Sequence, residues 1–217
     1  MAYTTRKEDN RRVNIVNDFL DKYVYPNTNV LKHFVRVDDL KSQLSGTDVR
    51  FKYNGEIFNC DEKASVKYVN KDLQTFALEL SFIGRNGNWH EGWLTDAEHT
   101  NEFFMFIWIP KAKSDVLTCM EDIIEMDCAF ILKDDIISLL AKKGWTRDKL
   151  VQKDNAIRNL GDTNMCNMRK DGIKFSYSSY LAEQPINILM TKNDYMNIAI
   201  CKYHIVNGKI VNLTENI

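Results

Sequence analysis

Asp61, Lys63 and Glu79 are the side chains whose types and spacing could carry chemistry. Asp61-Glu62-Lys63 lies in a strand-like segment. Glu79 is the one charge in the β-rich, mostly apolar run 75–83. An unpaired carboxylate buried in such a run is expensive, so Glu79 needs a partner. Carboxylates that converge suit a hard divalent ion such as Mg²⁺ or Mn²⁺, which prefers oxygen ligands. Such an ion acidifies bound water and stabilises charge on a phosphate. A lysine beside it can position that water or offset the developing charge.

The elements that must position these groups begin with a hairpin. Residues 48–53 read as a strand, and Asn54-Gly55 is a type I′ turn signal, because both turn positions need positive φ. Residues 56–68 read as the returning strand. A two-residue loop makes Tyr53 face Glu56, and the same register makes Asp48 face Asp61. Opposed side chains sit roughly 4.5–5.5 Å apart at Cβ, so two like charges there need compensation unless a bulge breaks the register. Strand alternation puts Lys63 on the face of Asp61. If the strand 75–83 pairs with the strand carrying Asp61, then Asp48, Asp61 and Glu79 converge, with Lys63 at the edge. The candidate metal ligands are therefore Asp61, Glu79 and Asp48.

This pattern resembles the PD-(D/E)xK nuclease superfamily, which has the restriction-endonuclease-like fold. The matching string is Gln43-x-x-Gly46-x-Asp48-Val49, then Asp61-x-Lys63-Ala64, then Thr75-Phe76 with Glu79, then Gly92-Trp93-Leu94. It is similar to a subgroup of bacterial and phage proteins and covers about residues 38–110. The resemblance implies Asp61 at the metal-binding aspartate and Glu79 at the acidic position. Gln43 would steer water or backbone. Cys60 stands where the motif has proline, and Ser81 where it has lysine. Lys63 would then supply the amine from the adjacent strand. A catalytically inactive binding module of phage or mobile-element origin, with the same fold, is the competing reading that Ser81 and the near-neutral charge suit.

The remaining pattern is helix, helix, three strands, further strands, helix, hairpin. It predicts an α/β (α+β) fold with a central mixed sheet flanked by helices. Thr5 to Glu8 match a capping box before the apolar periodicity of Val13, Val16, Phe19, Leu20 and Tyr23, and Pro26 ends that helix. A shorter helix is expected over 39–44, stopping at Gly46. Residues 92–94 and 128–132 read as short strands. The unbroken apolar run 102–109 reads as a strand covered on both faces. Asp134 opens a helix that Lys142-Lys143-Gly144 closes. Residues 146–172 read as loop with room for a short helix, and 197–213 as a second hairpin around Asn207-Gly208.

At 217 residues the chain reads as one domain, 1–217. Its 44% hydrophobic content is that of an ordinary globular protein. A net charge of −1 gives no general pull toward nucleic acid, so any partner of that kind, DNA by preference, must meet local basic patches. Two stand out: Arg6, Lys7, Arg11 and Arg12 on the first helix, and Lys142, Lys143, Arg147, Lys149 and Lys153. The latter reads equally as a solvated helix end. Five scattered cysteines form no CxxC pair and suit a reducing, cytoplasmic setting. The N-terminus lacks an apolar signal region, and the longest apolar run is too short to span a bilayer. The histidines are isolated, with no second one at metal-ligand spacing, which argues against a zinc site. A homodimer stands as one option for the assembly.

Overall fold

A run as apolar as Phe103 to Ile109 must be buried on both faces, and the strand that contains it organises the largest sheet. The computed structural model describes residues 6–39, 42, 45–84, 86–96, 98–160 and 171–215. The chain groups into two compact units, each stitched from separate segments. One comprises residues 1–73, 101–132 and 199–217, the other 74–100 and 133–198.

The first unit holds a seven-stranded mixed sheet among its described residues. Its strands are β1 (Lys32–Arg36), β2 (Val49–Tyr53), β3 (Glu56–Ala64), β6 (Phe103–Ala112), β7 (Ile123–Leu132), β10 (Cys201–Val206) and β11 (Lys209–Glu215), in the order β1-β2-β3-β6-β7-β10-β11. Every pairing is antiparallel except β3 with β6, which is parallel. The β2–β3 turn takes the positive φ values expected, 48° at Asn54 and 93° at Gly55. The ladder then runs from Tyr53↔Glu56 to Val49↔Cys60, the register deduced from the loop length. The β10–β11 hairpin turns in the same way at Asn207-Gly208.

One face of this sheet carries Phe51, Cys60, Phe103, Met105, Met126, Phe130 and Tyr203. It packs against Val16 and Phe19 of helix α1 (Arg6–Phe19) and against Leu20 and Val24 of the π-turn that continues it. Phe103 and Phe130 stack there, with ring centroids 4.6 Å apart. Phe104, Phe106, Trp108, Ala129 and Ile131 of the other face are also buried, as the continuous apolar pattern requires. Into the helix-covered face projects one acid, Glu62, 7% exposed. It accepts hydrogen bonds from Tyr25 Oη and from Arg36, whose Nη1 lies 2.6 Å from Oε2. Arg36 also donates to Asp21 at 2.6 and 2.8 Å. Removing one partner of a buried pair strands the other charge, so Arg36→Met should lower stability by about 3 kcal/mol in urea denaturation. An unchanged midpoint would show that Glu62 is satisfied without it.

The second unit holds an antiparallel four-stranded sheet among its described residues, in the order β5-β4-β9-β8. These are β4 (Thr75–Ile83), β5 (Trp89–Glu91), β8 (Lys174–Tyr177) and β9 (Ile186–Thr191). Its helices are α2 (Lys133–Lys142), α3 (Arg147–Leu160) and α4 (Lys192–Ile198). The strand expected at 92–94 ends instead at Glu91. Gly92 donates to Leu80 O at 2.7 Å, and a Cβ there would lie 2.3 Å from the Glu79 carbonyl oxygen. The backbone passes too close to β4 for any side chain. The helix in the segment 146–172 is longer than the short one considered, running from Arg147 to Leu160. Its inward period runs through Leu150, Asp154 and Ile157, and the buried aspartate hid it. The strand at 128–132 begins five residues earlier, at Ile123. Most of the helix expected over 39–44, and Thr5 of the capping box, lie outside the described residues.

Candidate metal centre

Alternation along the hairpin assigns the faces. On β2, Val49 and Phe51 are buried while Arg50 and Lys52 are exposed. On β3, Cys60 and Glu62 join the helix-covered face, so Asp61 and Lys63 project from the opposite one. Asp61 is 2% exposed. Lys63 Nζ lies 2.7 Å from its Oδ1. The other oxygen, Oδ2, is buried without a hydrogen-bond partner.

Asp48 completes the group from the far side of the hairpin. Beyond Val49↔Cys60 the ladder departs from its register, as at a β-bulge. The Asp48 N–H donates to Cys60 O at 2.9 Å. Its carboxylate Oδ2 accepts the Glu62 N–H at 2.8 Å. A side-chain oxygen thus takes the role of a ladder carbonyl, and the Asp48 carboxylate is held against the backbone of β3 next to Asp61. Burial raises the Asp61 carboxyl to about 7. The Lys63 ammonium opposes that shift and the Asp48 carboxylate adds to it. Burial likewise raises Glu62, against the pull of Arg36.

This arrangement suits a small hard cation. A buried carboxylate oxygen with no donor is costly, and it can be satisfied by a proton or a cation. Among the described residues no three His, Cys, Asp or Glu side chains are grouped to hold a metal. The protein would therefore contribute two carboxylates. Mg²⁺ is commonly held in this way, with water and substrate phosphate oxygens completing its shell. The donor set fits.

Glu79 is not brought to this group by strand pairing. The expected convergence required β3 and β4 to be neighbours. The partners of β3 are β2 and β6, while β4 pairs with β5 and β9 in the other sheet. The reason is the apolar strand β6, which takes the free edge of β3 in parallel; the intervening segment 65–102 is long enough for the crossover this demands. Glu79 is half-buried on β4, opposite Asn187. Gln43 lies outside the described residues.

Ser81 has a different task from the one its position suggested. It is fully buried and donates to Asp154 Oδ1 at 2.5 Å. Arg158 Nη2 donates to its Oγ at 2.6 Å. It ties α3 to β4, and that role needs no lysine. Four of the five cations of 142–153 also have local partners. Lys143 lies 3.0 Å from Asp194 and Arg147 2.9 Å from Glu91; Lys149 donates to Gly144 O at 3.0 Å, and Lys153 covers the Phe175 ring. Arg11 is exposed on α1, while the side chains of Arg6 and Lys7 lie outside the described set.

The Glu62–Arg36 pair was not recognised in the sequence. Its signal was the position of Glu62 between two residues assigned to the opposite face, which forces it inward. Comparison with protein-family models, with curated proteins and with solved structures yields no match. Among the described residues no helix is long and apolar enough to cross a membrane.

Proposed function

We propose that the protein is a divalent-metal-dependent nuclease of the PD-(D/E)xK kind, with its site on the β2–β3 hairpin. The observation that carries this reading is the grouping of Asp48, Asp61 and Lys63, with Asp61 Oδ2 buried and unsatisfied. The motif then falls on different residues from those first considered. Asp48 takes the metal-binding aspartate. Asp61, thirteen positions on, takes the acidic position, and Lys63 follows it at the x-K spacing. The missing lysine disappears as an objection, because Ser81 no longer occupies that place. The run β1-β2-β3-β6-β7, in which only β3 and β6 are parallel, supports the restriction-endonuclease-like fold as the finer description.

Mg²⁺ or Mn²⁺ held by Asp48 and Asp61 would supply charge neutralisation at a phosphate and a more acidic water. Lys63, anchored on Asp61 Oδ1, presents its ammonium to orient an attacking water and offset charge on the phosphate. Asp48 is fixed by the Glu62 N–H, so its carboxylate is already positioned when substrate arrives. Nucleic acid, DNA by preference, is the substrate class, and the free thiols of Cys60, Cys119, Cys128 and Cys201 suit a cytoplasmic setting.

The burial of Asp61 favours one competing reading, an inactive module of the same fold whose carboxyl stays protonated. Calorimetric titration of Mn²⁺ at pH 8 separates the two. The nuclease reading expects one saturable site that Asp48→Asn weakens at least tenfold. Wild-type protein that shows only weak surface binding would support the inert module.

A further inference from the structure

We propose that Lys32, His33 and Lys52 form a phosphate-binding subsite that holds the nucleic-acid backbone beside the hairpin. The proposal rests on the nuclease reading for the source of the phosphate.

The cleft that these side chains line has a volume of about 450 Å³ and is shared with Asn29, Asn54 and Tyr53. No acidic side chain lines it. Lys32 and Lys52 are direct partners in the β1–β2 ladder. Like charges directly opposed across two strands destabilise the pair, so the arrangement calls for an anion between them. All three basic residues are exposed, and among the described residues none of their side chains is engaged in an ion pair or hydrogen bond. They differ in this from Lys143, Arg147 and Lys149, which are tied to local partners. The β1–β2 register shifts between Lys32 and Val35, and His33 takes a φ of 52° there. Bulges of this sort re-aim side chains, and here His33 joins the cleft. The amides of Asn29 and Asn54 add neutral donors of the kind that contact phosphate oxygens.

The position fits a strand that also reaches the carboxylates. Lys52 faces Ile57, and Asp61 lies four positions further along β3. At about 3.4 Å per residue this is about 14 Å on one sheet face. A nucleic-acid strand rising about 3.4 Å per nucleotide covers that distance in about four steps. Arg50 lies between, exposed on the same face.

Fluorescence anisotropy with a labelled 20-nucleotide duplex, in EDTA and over a salt series, tests the subsite. In the full chain, the double variant Lys32→Gln/Lys52→Gln should bind about tenfold more weakly. Its log K against log[salt] slope should be shallower by about two phosphates. Its thermal midpoint should be unchanged or higher, because a like-charge pair has gone. An unchanged slope and affinity in the folded variant overturn the proposal, as does wild-type protein that binds no duplex. Inorganic phosphate that competes as well, per phosphate, as the duplex makes the cleft a small-anion site and overturns the backbone role. Wild-type cleavage by Asp61→Asn sinks the nuclease reading, whereas the subsite is decided by duplex binding in EDTA, where no cleavage occurs.

Discussion

Asp61→Asn should lower Mg²⁺-dependent cleavage of a duplex or single-stranded oligonucleotide about a thousandfold, with the circular dichroism spectrum unchanged. Asparagine keeps the shape of the side chain and removes its charge. It cannot hold a divalent ion as a carboxylate does, and it loosens the 2.7 Å anchor of Lys63. Loss of one preorganised charged group in a water-excluded site typically costs a hundredfold to a thousandfold, and here two are affected. Lys63→Met should cost about a hundredfold through the amine alone. Glu79→Gln is the informative contrast. If Asp48, Asp61 and Lys63 complete the motif, it should change the rate by no more than about threefold. A loss as large as that of Asp61→Asn would return Glu79 to the site. Cleavage by Asp61→Asn at the wild-type rate would remove the hairpin from the chemistry altogether.

The second large effect is on stability against pH, measured in EDTA. The Asp61 carboxyl sits at about 7 in the folded chain, against an ordinary 3.8. Between those values the folded state keeps a proton that the unfolded state has lost. Stability therefore falls as pH rises from about 4 to about 7, and the penalty is complete above that range. The difference corresponds to on the order of 4 kcal/mol at pH 8. Asp61→Asn should flatten this part of the profile and make the metal-free protein more stable than wild type at pH 8. Mn²⁺ should restore wild-type stability at pH 8, since a ligand that binds only the folded state shifts the equilibrium toward it. The variant should gain nothing from the ion. A wild-type profile that is flat from pH 4 to 8 would mean that Asp61 ionises without difficulty. A buried charge that lowers stability is common where function opposes stability.

Local chemistry was legible in the sequence wherever it depended on neighbours along the chain. Asn54-Gly55 determined a two-residue turn, because few residues accept positive φ at both positions. The turn determined the register, and the register placed Asp48 opposite Asp61 to within one bulge. The alternation of a strand put Lys63 beside Asp61 and forced Glu62 to the other face. The unbroken apolar run from Phe103 announced a strand buried on both sides.

Strand adjacency was decided only in three dimensions. The next strand along the chain, β4, was the natural neighbour for β3, and with it Glu79 would have entered the site. The edge of β3 went instead to β6, whose apolar side chains must be buried on both faces, while β4 formed its own sheet with β5, β8 and β9. Burial of Asp61 is equally a tertiary fact. A carboxylate at the end of a polar strand has an ordinary acidity in any local reading. Desolvation by the folded chain, with Asp48 beside it, raises Asp61 to about 7 and leaves one buried oxygen without a hydrogen-bond partner. The sequence by itself determined which side chains share the hairpin, because turn geometry and strand period are local. The tertiary structure decided which of them form a site, because burial and strand pairing depend on residues far away in the chain.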